Sequence, residues 1–343
     1  MGLWDTLRAL AGEPWIAFII FAALTFDFVN GFHDAANSIA TIVGTRVLRP
    51  ATAVVWAAWW NFAAAWFFGV AVANTVAKWV HPDFVTADVI FAGLAGAIVW
   101  DLLTWWVGLP TSSSHALLGG FGGAAMAYAG TFRDVLATGK VLATLEFILL
   151  APLMGFVLGF GLVLFVVWTF RGVSAARMDR AFRVVQLGSA ALYSLGHGTN
   201  DAQKTMGIIL AVLIATKSLG AQADVPLWVV LSCHAAMGLG TLMGGWRIVK
   251  TMGQRICHLQ PVHGFAAESG GALCLYGATW LGIPVSTTHT ITGAIVGVGA
   301  TRGRKAVRWG VAGRVVWAWV LTIPAAAIVS AGAWHVFALL GWH

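Results

Sequence analysis

Charge is what this chain has least of. Only 10% of its 343 residues are Asp, Glu, Lys or Arg, and 59% are hydrophobic, whereas a soluble domain carries about 25% charged residues. So little polar side chain cannot cover so much apolar surface in water, which excludes a water-soluble fold. Cysteine is also scarce. Cys233, Cys257 and Cys274 are odd in number and lack metal-ligand spacing, so they point to packing rather than to a disulfide framework or a metal centre. No Gly-x-x-x-x-Gly-Lys-Ser/Thr loop occurs, which removes ATP as the energy source. Residues 1–14 carry Asp5, Arg8 and Glu13 and lack a signal-peptide pattern, so they read as a short interfacial segment.

What is abundant fits a bilayer. There are 41 glycines, suited to close helix packing, and 19 tryptophans, suited to an interfacial belt. A crossing needs about 20 apolar residues. Candidate crossings run over residues 15–44, 52–76, 87–108, 111–129, 141–170, 184–215, 227–246, 263–281, 285–300 and 311–336. The elements after Pro110 and Pro284 are short and Gly-rich, and they read as broken or re-entrant pieces.

The formal net charge of +7 reflects short basic loops rather than a nucleic-acid surface. Arg171, Arg177, Arg180 and Arg183 form the densest loop, which is placed in the cytoplasm. Counting crossings puts Arg46 and Arg49, then Arg247, Lys250 and Arg255, then Arg302, Arg304, Lys305 and Arg308 on that same side. The expectation is an all-α polytopic membrane protein. Residues 15–170 form one repeat, 171–183 a basic cytoplasmic linker, and 184–343 a second repeat. With about five elements per half, the second repeat enters the membrane inverted.

Two motif pairs carry the duplication. Gly31-Phe32-His33-Asp34-Ala35-Ala36-Asn37 matches Gly198-Thr199-Asn200-Asp201-Ala202-Gln203-Lys204. Gly108-Leu109-Pro110-Thr111-Ser112-Ser113-Ser114-His115 matches Gly282-Ile283-Pro284-Val285-Ser286-Thr287-Thr288-His289. A carboxylate inside the membrane is costly unless it is paired or hydrated, so Asp34 and Asp201 mark a functional site. In the second pair, Pro stops one element and Ser/Thr cap the next. Each half thus starts a helix in mid-membrane, and a helix N-terminus suits an anion. Hydroxyls and N–H groups donate to a bound oxyanion. The carboxylates only accept, so they require an intervening cation or the O–H groups of a protonated oxyanion such as phosphate. The bland reading, that the acids and hydroxyls merely glue helices together, is weakened by the duplication. An intramembrane enzyme is also disfavoured, because His33-Asp34 lacks further ligands and Ser114-His115 point apart on a helix.

At these motifs the chain resembles the inorganic phosphate transporter (PiT) family, most closely its bacterial low-affinity branch. The resemblance implies a homodimeric phosphate symporter that alternates between outward and inward access, with a phosphate site lined by Asp34, Asn37, Asp201, Ser113, Ser114, Thr287 and Thr288. It also locates two departures and one match that cuts the other way. Lys204 stands where sodium-coupled members have Asn, and Asn61 where they have Glu; both favour a proton as the driving ion. Glu268, which matches a Glu of the sodium-coupled members, is either a coupling carboxylate or a packed acid. His33 and Asn200 stand at matched positions beside the acids and join the charge balance. His115 and His289 read as supporting residues. Asp101 and His234 are intramembrane and unmatched, and Arg314 is read as snorkelling. The resulting expectation is phosphate, free or complexed with a divalent metal, carried with H+ across the bacterial cytoplasmic membrane without a cofactor. Na+ coupling and sulfate transport on the same fold are the alternatives; a channel is the further one.

Overall fold

The computed structural model describes residues 12–341, and regular structure there is helical apart from two isolated bridges, Val80–Leu136 and Cys257–Val307. The interfacial segment expected at 1–14 lies almost wholly outside the described residues.

The first half opens with α1 (Pro14–His33) and α2 (Ala35–Gly44), separated by Asp34. Asp34 has φ −92° and ψ 3°, the sparsely occupied bridge region, so the helix is interrupted at the acid itself while the span runs on over Pro14–Gly44. Helix α3 (Pro50–Ala63) follows, with Pro at its first turn, where a missing N–H costs nothing. It runs through a 3-10 turn into α4 (Ala71–Ala77) at an angle of 84°. The straight crossing expected over 52–76 is therefore bent. Helix α5 (Ala87–Val107) spans, α6 (Ser113–Ala129) is the short re-entrant piece, and α7 (Thr138–Thr169) crosses with Pro152 inside it.

The second half repeats this order. Helix α8 (Ala175–Ala215) corresponds to α1 and α2. Helices α9 (Leu227–Met243) and α10 (Trp246–Lys250) form a second bent pair, at 63°, continued by a π turn. Then come α11 (Pro261–Trp280), the short α12 (Thr287–Ala300) and α13 (Trp309–Leu339), which carries Pro324. Helix α8 begins at Ala175, so most of the basic segment read as a linker at 171–183 is helical.

Hydropathy alone finds only part of this. Four stretches among the described residues are long and apolar enough to cross a membrane, or six if each bent pair is one span. Helix α8 is not among them, because His197, Asn200, Asp201, Gln203 and Lys204 interrupt its apolar run. The exposed face of α7, with Leu142, Leu145, Leu149, Leu153 and Val157, is the apolar exterior expected of a polytopic membrane protein.

The two halves interlock. Helix α6 packs on α13, and α12 packs on α7, so each re-entrant helix is gripped by the Pro-containing helix of the other half. Glycine makes this possible at the tightest points. A Cβ on Gly123 would lie 2.4 Å from the Ala327 backbone, and one on Gly293 would lie 2.1 Å from the Pro152 carbonyl oxygen. Backbone then meets backbone without a side chain between.

Candidate functional site

Each re-entrant turn is built the same way. Gly108 (φ +74°) and Gly282 (φ +69°) end α5 and α11 in the left-handed region that glycine adopts freely. Pro110 and Pro284 keep the chain extended. The hydroxyls of Ser112 and Ser286 then accept from the backbone N–H groups of His115 and His289, both at 3.2 Å, capping α6 and α12. The first-turn side chains Ser113, Thr287 and Thr288 converge on the acids, and Ser114 on Lys204.

Some of their contacts stay within a half and others cross: Thr288 to Asp34, Asn37 to Thr287 and Thr288, and Lys204 to Ser114 are the crossing ones. Thr287 donates to Asp201 at 3.0 Å and Thr288 to Asp34 at 3.4 Å. The Asn37 amide donates to Thr287 at 3.1 Å and to Thr288 at 2.9 Å. Ser113 donates to Asp34 at 3.4 Å. Lys204 Nζ is held by Asp201 at 2.5 Å, by the Val285 carbonyl at 2.7 Å and by the Ser114 hydroxyl. Every one of these groups is at most 4% exposed. The seven residues assigned to the phosphate site thus occupy one buried cluster, with Lys204 at its edge.

The two acids have different surroundings. Asp34 has His33, whose Nδ1 lies 2.6 Å away and whose Nε2 lies 3.1 Å from Thr104 and 3.3 Å from Thr111. Asp201 has the Lys204 ammonium and His197, whose Nε2 lies 3.1 Å from Oδ2. His197 Nδ1 is 3.2 Å from both the Ser38 hydroxyl and the Asn61 amide oxygen, and Asn61 donates onward to Thr241 at 3.0 Å.

Some residues picked out from the sequence do not join the cluster. Asn200 turns away and donates to Thr279 at 3.0 Å. Glu268 sits in a pocket of its own, accepting from Thr41 at 2.6 Å, Gln186 at 2.9 Å and Ser189 at 2.5 Å. His115 and His289 meet each other, with ring centroids 4.7 Å apart, and His289 stacks on Trp319 at 3.9 Å. Their place is behind the re-entrant tips, where the two halves abut. His234 bonds the Asn61 carbonyl at 3.0 Å.

His197 is the clearest residue that sequence reasoning missed. It stands just ahead of the second motif, one helical turn before Asp201, so i, i+4 spacing would have paired them. Thr104 and Gln186 were missed because nothing local marks them; Thr111 stands inside the first Pro-Ser/Thr motif but was given no role.

Chemically, the cluster offers hydroxyls, an amide, an ammonium and two helix N-termini to an oxyanion, and two carboxylates to acidic protons or a cation. Asp34, His197 and Asp201 each bring a ligand atom within 4.8 Å of the others, the set that a cation accompanying the anion would meet.

Comparison with known proteins agrees with this chemistry. The chain matches the phosphate transporter family over residues 30–175 and 170–330. It is 58% identical to a Rhizobium meliloti protein described as a "probable low-affinity inorganic phosphate transporter", covering 95% of this chain and 97% of that one. A Bacillus subtilis protein of the same description is 44% identical over 94% of this chain and 97% of its own length. A solved structure described as "the sodium-dependent phosphate transporter" superposes with a TM-score of 0.83 at 23% identity, covering 95% of this chain and 100% of that one, a likeness of fold.

Proposed function

The chain belongs to the phosphate transporter family, and from that premise we propose that it is a proton-driven phosphate symporter of the bacterial cytoplasmic membrane. It is a transporter, not an enzyme. The observation that carries the proton reading is Lys204. Its ammonium lies 2.5 Å from Asp201, so a fixed positive charge already answers the acid at which a mobile cation would otherwise bind. Asn61 adds to this, since its amide is neutral and is engaged by His197 and Thr241.

In this reading phosphate lies between the N-termini of α6 and α12. Ser113, Ser114, Thr287, Thr288, Asn37 and Lys204 donate to its oxygens, while Asp34 receives a phosphate O–H. Sulfate lacks that proton near neutral pH, so it loses the contact and leaves the Asp34 carboxylate facing an anion. A divalent metal travelling with phosphate would meet Asp34 and His197, with Asp201 free to join them only if Lys204 turns from it to phosphate. Glu268 and His33 are the carboxyl and imidazole through which coupling protons pass. The two repeats lie inverted in the bilayer, with the basic loops on the cytoplasmic side. Because α6 is held by α13 and α12 by α7, the body that moves during alternating access combines elements of both sequence halves. Assembly as a homodimer rests on the family resemblance alone.

Uptake into proteoliposomes at a clamped membrane potential, with and without sodium across about pH 6 to 8 where imidazole titrates, tests this. Uptake that follows the proton gradient and ignores sodium is the expected result. Strict sodium dependence refutes the proton assignment, and sulfate outcompeting phosphate refutes the substrate.

A further inference from the structure

One group of buried polar atoms takes no part in the cluster above. Both carboxylate oxygens of Asp27, the amide oxygen of Asn30 and the hydroxyl of Thr205 have no hydrogen-bond partner among the described residues. Asp27 and Thr205 are fully buried, and Asn30 is 2% exposed. Asn30 follows Asp27 by one turn on α1, so the two side chains share a face. Thr205 comes from α8, directly after Lys204. Thr205, Asn30 and the thiol of Cys233 on α9 are the side chains that border Asp27.

The other charged or titratable groups acting on Asp27 are Cys233 from α9 and Asp201 from α8, and no Lys, Arg or His is among them. Helices α2 and α5, which also pack on α1, contribute none. An unpaired carboxylate at this depth is costly, so the position needs a proton or a cation that the protein itself does not supply. The side chains that border it offer a hydroxyl, an amide and a thiol, and with the carboxylate the oxygens are the ligands that hard cations prefer. The thiol is too soft to compete for them.

The other half shows what the position does without such a ligand. By the motif alignment Asn30 corresponds to His197, Thr205 to Ser38 and Asp27 to Ser194. There Ser194 stands in place of the acid, and the larger imidazole reaches Ser38 at 3.2 Å, Asn61 at 3.2 Å and the Asp201 carboxylate at 3.1 Å. In the first half the shorter Asn30 leaves its amide oxygen free, and an acid has been added.

We propose that Asp27, Asn30 and Thr205 form a second cation site, taking a proton or a sodium ion, distinct from the Asp34–Asp201 cluster. Occupancy there bears on the phosphate site through α8, because Thr205 adjoins the lysine that holds Asp201. The role of this site in coupling rests on the symport reading; its existence as a cation site does not.

The experiment uses the full chain, purified in detergent and reconstituted in liposomes, as wild type, Asp27→Asn, Thr205→Val and Thr205→Ser. Three readouts are taken: equilibrium phosphate binding, uptake stimulated by an inward proton or sodium gradient at clamped potential, and the unfolding temperature in NaCl against choline chloride and against pH. Asp27→Asn is expected to bind phosphate within about twofold of wild type while losing gradient stimulation by about tenfold or more, the scale of coupling between linked sites. Thr205→Val is expected to need several-fold more of the driving cation, and Thr205→Ser to restore it. A stabilisation by NaCl that Thr205→Val loses identifies sodium; a pH-dependent stabilisation that Asp27→Asn loses identifies the proton. Unchanged gradient stimulation in Asp27→Asn overturns the site, as does loss of its phosphate binding, which would place Asp27 on the substrate. If Asp27→Asn does not fold, the two Thr205 variants decide by the same criteria. If wild-type uptake shows no stimulation by either gradient, the symport reading fails, and the unfolding temperatures alone judge the site.

Discussion

The two signature segments share a backbone plan and differ in charge. Around Asp34 the companions are an imidazole and hydroxyls; around Asp201 they are an imidazole and a lysine ammonium. Position 37 in the first segment is an amide that reaches Thr287 and Thr288, whereas position 204 in the second is an ammonium that reaches Ser114 and the Val285 carbonyl. Each half therefore grips the tip of the other half's re-entrant helix, once with a neutral donor and once with a charged one. Duplication supplied the frame, and the departures from symmetry set the electrostatics. One acid is answered by a fixed ammonium and an imidazole, the other by an imidazole alone.

The largest expected effect comes from removing the acids. Asp34→Asn and Asp201→Asn should each lower phosphate uptake at least about a hundredfold, the scale of losing a buried charge-assisted contact, with unchanged elution in detergent. Normal uptake by Asp34→Asn would mean that the first segment is not part of the site. Next is Lys204→Asn, which gives the second segment the amide of the first. Uptake in this variant should become sodium-dependent; if it stays proton-driven, Lys204 does not select the ion. Lys204→Ala leaves Asp201 buried beside a lost partner and should cost about 3–5 kcal/mol of stability, read as a lower unfolding temperature. Gly293→Val probes the interlock. Its side chain meets the Pro152 carbonyl, and overpacking of this kind costs about 1–3 kcal/mol. If Gly123→Val against Ala327 behaves alike, the two crossed contacts are equivalent. The smallest effect should be Thr104→Val, which removes one hydrogen bond to His33, worth about 1 kcal/mol. That predicts roughly a fivefold fall in uptake, read as initial rate in proteoliposomes.

The motifs made the frame readable from the chain. Pro110 and Pro284, the capping serines and the glycines before them determine where re-entrant helices start, because these are local rules of backbone geometry and hydrogen bonding. The bends after α3 and α9 were not legible. Neither carries a proline at the bend, and hydropathy does not register direction. Glu268 shows the same divide. Its place inside an apolar helix marked it from the sequence, but its distance from the Asp34–Asp201 cluster depends on Thr41, Gln186 and Ser189, which come from two other helices.

Composition and motif order by themselves determined that this chain lies in a membrane, that it is duplicated, and that two acids and two capped helix starts form its polar centre. A buried charge in an apolar helix is visible without coordinates, because its cost demands a reason. Only the tertiary structure decided who answers each charge: Lys204 and His197 for Asp201, His33 for Asp34, and no basic group among the described residues for Asp27. It also decided that the halves interlock through α6 on α13 and α12 on α7. Such pairings join residues far apart in the chain, and they are set by close packing at glycine-faced contacts that local sequence does not encode.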